Sequence, residues 1–85
     1  MSPEDQSYIQ DFLEAFVTFY TSDNYMKTHR KIPKYFSLIF KSKEYPRFTP
    51  ECLMTLGVLK NDTVDGTYFF TPKYRQEVLL MSGEL

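Results

Sequence analysis

His29 and Cys52 are the side chains best suited to nucleophilic or metal chemistry, and each is the only residue of its kind in the chain. There is no Cys-x-x-Cys or His-x-x-x-His spacing, so a zinc site would have to recruit carboxylates to complete its shell. A Cys-His pair would need the fold to bring 29 and 52 together. The simpler reading makes Cys52 a small core residue on a helix and His29 an exposed member of a basic connector. Glycine occurs only at 57, 66 and 83, which rules out a Gly-rich phosphate loop. The carboxylate pairs Glu4/Asp5 and Asp11/Glu14 fall on an early solvent face that helix capping already explains. No enzymatic activity, metal or cofactor is expected.

Charge is the chemistry that this sequence does supply. The formal net charge of −1 hides a segregation along the chain. Residues 1–26 carry five acids (Glu4, Asp5, Asp11, Glu14, Asp23) and no base. Residues 27–47 carry seven bases, Lys27, Arg30, Lys31, Lys34, Lys41, Lys43 and Arg47, against Glu44 alone. A local field of that kind attracts phosphates even when the total charge is near zero. With Lys60 further on, these residues are the candidate nucleic-acid contacts. Tyr45 and Phe48 interleave the charges, where they suit either base or sugar stacking or the anchoring of a loop.

These side chains must be carried by few elements, because 85 residues make one domain, spanning 1–85, with a thin margin of buried surface. Eight Phe and seven Tyr supply the bulk for a core. One Cys excludes an intramolecular disulfide, no apolar run approaches the roughly 20 residues of a membrane span, and no leader pattern opens the chain. A soluble cytoplasmic protein that does not enter a membrane is expected. Ser2-Pro3-Glu4-Asp5 starts a helix running from about Pro3 to Thr21, since Ser2 can cap an orphan N–H and Pro3 suits the first turn. On it Tyr8, Ile9, Phe12, Leu13, Phe16, Val17, Phe19 and Tyr20 fill about half the circumference, wider than the stripe of about 100° that a surface helix needs. Those side chains are either all core, or one flank carrying Tyr8, Phe12, Phe16 and Phe19 packs against a second copy of the chain.

Residues 22–31 show no clear period and read as a connection. Ile32-Pro33 opens a second helix to about Lys41, with Ile32, Tyr35, Phe36, Ile39 and Phe40 on one face and Lys34, Ser37 and Lys41 on the other. Residues 42–48 form a loop around Pro46. Thr49-Pro50 starts a short third helix to about Leu56, with Leu53 and Leu56 inward, which Gly57 terminates. Lys60–Val64 and Thr67–Thr71 form a β-hairpin about Asp65-Gly66, the strongest two-residue turn signal, which would set Val64 opposite Thr67 and Thr63 opposite Tyr68. Tyr68 and Phe70 then share one face and Phe69 takes the other. Pro72 starts a last helix to about Met81, with Tyr74, Val78 and Met81 on one stripe and Ser82-Gly83 at its end. The expected fold is mainly α with a small β-hairpin: four helices and a two-stranded wing.

The segments Leu53-Met54-Thr55-Leu56-Gly57-Val58-Leu59 and Tyr68-Phe69-Phe70-Thr71-Pro72-Lys73-Tyr74, in this order of elements, resemble the winged helix-turn-helix superfamily over about residues 33–81. Two departures stand out: the loop at 42–48 is longer than the compact turn of that motif, and Tyr74 stands where the family often has Gly. The resemblance implies that residues 50–56 hold the place of the recognition helix, whose first residues read bases in the major groove. Thr49, Glu51, Cys52, Met54 and Thr55 offer none of the Arg, Lys, Asn or Gln that reads guanine or adenine bidentately. Nucleic acid, DNA in preference to RNA, would therefore be held by phosphates, through the basic helix and loop. The competing expectation is a protein-interaction module that binds a protein partner as an adaptor or inhibitor, supported by the weak third helix and the aromatic first one. A homodimer through helix 1 fits both.

Overall fold

The computed structural model describes residues 1–22, 33–61 and 67–83, and of residues 21, 22 and 33–35 the backbone alone. Ser2 caps α1 (Pro3–Ser22): its hydroxyl accepts from the Asp5 amide at 3.1 Å and its carbonyl from the Gln6 amide at 3.0 Å. Glu4 and Asp5 lie in the first turn, against the positive end of the helix. α2 (Pro33–Lys41) turns Phe36 and Ile39 inward and Ser37, Leu38 and Lys41 outward. The chain then makes two tight turns, with Tyr45 N–H donating to the Ser42 carbonyl and Phe48 N–H to that of Tyr45.

Helix α3 (Pro50–Thr55) is capped by Thr49, whose Oγ1 accepts from the Cys52 amide at 3.3 Å. Gly57 at φ +77° lets the chain leave this helix. Val58 N–H then reaches the Leu53 carbonyl at 2.9 Å and Gly57 N–H that of Met54 at 3.1 Å, a pairing that satisfies carbonyls otherwise left open at a helix end. α4 (Pro72–Met81) follows a second Thr-Pro step, but the Thr71 hydroxyl does not cap it. That hydroxyl donates instead to the Gly57 carbonyl at 2.7 Å, while Thr71 N–H donates to the Val58 carbonyl at 3.0 Å. The exit of α3 and the entrance of α4 are thereby stitched together at the base of the strands.

Strands β1 (Leu59–Asn61) and β2 (Tyr68–Phe70) pair antiparallel, with Leu59 opposite Phe70, Lys60 opposite Phe69 and Asn61 opposite Tyr68. This corrects the register set by a two-residue turn, in which Thr63 would face Tyr68. The displacement is two residues, which preserves the side-chain faces, since these alternate with period two. Leu59 and Phe70 are buried, Tyr68 is half-buried, and Lys60 and Phe69 face outward. The turn at Asp65-Gly66 and Ile32 of the second helix lie outside the described residues. The architecture is mainly α with a small antiparallel β-pair, as expected.

The core draws on every element: Ile9, Phe12, Leu13, Ala15, Phe16 and Tyr20 from α1, Phe36 and Ile39 from α2, Phe48 from the loop, Leu53, Val58, Leu59 and Phe70 from the α3–β segment, and Tyr74 and Val78 from α4. Phe12 lies within 6.3 Å, centroid to centroid, of Phe36, Phe40, Phe48 and Phe70. Phe16 meets Phe70 edge to face at 4.7 Å. Such pairs add about 0.5–1.5 kcal/mol beyond their area burial.

Two expectations are corrected by this packing. Phe12 and Phe16 are fully buried within their own chain, so neither belongs to an outer flank of α1. Tyr8, Val17 and Phe19 are half-buried and pack against the same core. The wide apolar arc of α1 is consumed because α2, the 42–49 loop, β2 and α4 approach it from several sides. Met81, placed on the inner stripe of α4, is 38% exposed, because the stripe runs past the end of the core.

Candidate nucleic-acid interface

Of the eight basic residues singled out by charge, Lys41, Lys43, Arg47 and Lys60 have described side chains, and all four are exposed. Lys27, Arg30 and Lys31 lie outside the described residues, as does the side chain of Lys34. Lys41 ends α2, where a cation complements the negative helix terminus. Lys43 follows in the first turn of the loop. Lys60 stands on the outer face of the β-pair, directly across from Phe69, which is 42% exposed. Cross-strand neighbours on one face are close enough for a base and a ring to act on the same ligand. Lys41, Lys43 and Lys60 make no ion pair among the described residues.

Arg47 is placed differently. Its guanidinium pairs with the Asp11 carboxylate of α1 and sits over the rings of Phe48, at 5.4 Å, and Tyr8, at 5.9 Å. Its carbonyl accepts from the Tyr8 hydroxyl at 3.1 Å, and the same hydroxyl accepts from the Thr49 amide at 3.3 Å. The acidic first third and the basic second third of the chain thus meet at this point, and the positive charge of Arg47 is locally offset. Burial pushes the Tyr8 phenol up, helped by the neighbouring Cys52 thiol and opposed by the Thr49 amide.

The loop aromatics are anchors here. Phe48 is buried, and Tyr45 is half-buried against Phe19 and Phe48, with centroids 6.1 and 5.7 Å apart. Among the described residues, Phe69 is an exposed ring beside a base, Lys60, that makes no ion pair there. Sequence reasoning put it on the outer face but did not count it as a site residue, although the alternation of Tyr68, Phe69 and Phe70 was the signal for it.

The α3 surface offers Glu51, Cys52 and Thr55, all exposed, with Met54 half-buried. Cys52 is therefore not the core residue expected. His29, the other half of a conceivable Cys-His pair, lies outside the described residues. The Thr55 hydroxyl is turned back to the Glu51 carbonyl at 2.9 Å, which occupies its donor. Among the described residues no group of three or more His, Cys, Asp or Glu side chains could hold a metal ion. A groove of about 280 Å³ between α1 and α4 is lined by Gln6, Gln10, Lys73, Tyr74 and Glu77, among others, and by none of the candidate residues. Among the described residues no helix is long and apolar enough to cross a membrane.

No family model, curated protein or solved structure matches the chain.

Proposed function

We propose that this chain is a small non-enzymatic, winged-helix-like cytoplasmic protein that binds nucleic acid, DNA in preference to RNA, mainly through phosphates. The observation that carries the reading is the outer face of the β-pair, where Lys60 and Phe69 lie side by side and exposed. A cation beside an aromatic face suits the sugar-phosphate backbone and a stacked base together. Lys41 and Lys43 add charge that no described carboxylate neutralises. The exposed residues of α3 supply no bidentate base reader, so binding is weakly dependent on sequence. A single Cys, with no partner for a disulfide, suits a reducing compartment.

Replacing Lys41 and Lys43 together by Gln is expected to weaken binding to unrelated duplexes equally. It should also flatten the dependence of log K on log salt by about 2, at roughly 0.9 per phosphate contact. Affinities measured across a salt series check this, and an unchanged slope removes both lysines from the interface. The second reading, a protein-interaction module, is favoured by the exposed apolar side chains Leu38, Phe69, Leu80 and Met81. Binding of that kind would survive salt that strips a duplex.

A further inference from the structure

We infer that the Asp11–Arg47 pair is an exchangeable anion site, in which the Asp11 carboxylate stands where an external phosphate binds. In what it says of the natural ligand this rests on the nucleic-acid reading above. The guanidinium is held by more than its partner: Phe48 and Tyr8 lie against it, and the Arg47 carbonyl is tied to α1 by the Tyr8 hydroxyl. Arg47 therefore keeps its place when the carboxylate leaves. The two side chains are 60% and 43% exposed. An ion pair so open to water contributes little to stability, so an anion of higher charge can compete for it.

Arg also has five N–H donors in a planar fork, which match phosphate oxygens as well as carboxylate oxygens. Asp11 thus weakens phosphate binding at Arg47 and keeps adventitious anions off it. Nucleic acid, which presents many phosphates on one strand, can displace Asp11 where a single free phosphate competes poorly.

The test compares Asp11→Asn with Glu14→Gln, which removes the same charge from the same helix without touching Arg47. Inorganic phosphate is titrated while the Arg47 guanidinium N–H resonance is followed by NMR. Asp11→Asn should tighten phosphate binding at Arg47 about two- to fivefold beyond Glu14→Gln, the scale of an exposed ion pair. In an Arg47→Gln background, with the Phe48 backbone amide as the reporter, the advantage should vanish. Equal effects of the two acid variants, or an Arg47 resonance that phosphate does not move, would overturn the inference.

A short DNA duplex separates the two proposals. Asp11→Asn should tighten its binding about two- to fivefold beyond Glu14→Gln, because Arg47 no longer gives up a carboxylate to take a phosphate. If phosphate titrates as expected and neither protein binds the duplex, the anion site stands and the nucleic-acid reading falls. If the duplex binds and Asp11→Asn behaves as Glu14→Gln in both titrations, the reading stands and the anion site falls.

Discussion

Tyr8 shows how much one side chain settles in this molecule. Its hydroxyl joins a carbonyl and an amide of the 47–49 segment to α1, and its ring supports the Arg47 guanidinium. Tyr8→Phe keeps the ring and removes both hydrogen bonds, so a loss of about 1–3 kcal/mol is expected, at roughly 0.5–1.5 each. The phenol is raised above its ordinary value in the folded protein, chiefly by burial. A raised value means that the folded state holds this proton more tightly than the unfolded chain does. The resulting stability is complete below about pH 10, the ordinary tyrosine value, and drains away as pH rises through the higher folded value. Denaturation followed across alkaline pH should therefore fall less steeply in Tyr8→Phe than in the unmodified protein. Parallel curves would show that Tyr8 ionises no later than it does in the unfolded chain. Neither the Asp11–Arg47 pair nor the Tyr8 bridge was legible in the sequence, because partners 36 to 41 residues apart leave no local pattern.

At the scale of elements, the boundaries were legible wherever local chemistry decides them. Ser2-Pro3, Thr49-Pro50 and Thr71-Pro72 each begin a helix, and Gly57 and Gly83, at φ +77° and +80°, end two of them. Gly57→Ala isolates one such boundary. A Cβ there would meet nothing within 4 Å, so the cost is the left-handed backbone alone, about 1–2 kcal/mol. Urea denaturation measures it, and a variant as stable as the parent would mean that α3 ends some other way. What escaped the sequence was the strand register, because Asp-Gly reports that a turn exists and not how many residues it takes. The wheel of α1 was misleading for a related reason. It gives the angle at which each side chain leaves the helix and not the number of neighbours waiting there, and here the loop, α2 and β2 close over Phe12 and Phe16.

For the molecule as described, the contribution of the four described helices and the β-pair to one buried cluster implies that none of these elements unfolds alone without exposing part of that cluster. Phe12 lies at its centre, touched by rings from α2, the loop and β2. Phe12→Ala should cost about 3–5 kcal/mol. That is a large part of the roughly 5–15 kcal/mol that holds a domain together. Circular dichroism in the peptide and aromatic regions should lose signal at one shared, lowered temperature. A variant that melts in two steps would show that the cluster is not one unit. The same enclosure has a temporal consequence. A phenylalanine ring turns over only when its neighbours part, and around Phe12 those neighbours ride on three different segments. The rate at which the two edges of that ring exchange is thus a clock for the whole interior, ticking only when α2, the loop and β2 draw back from α1 together.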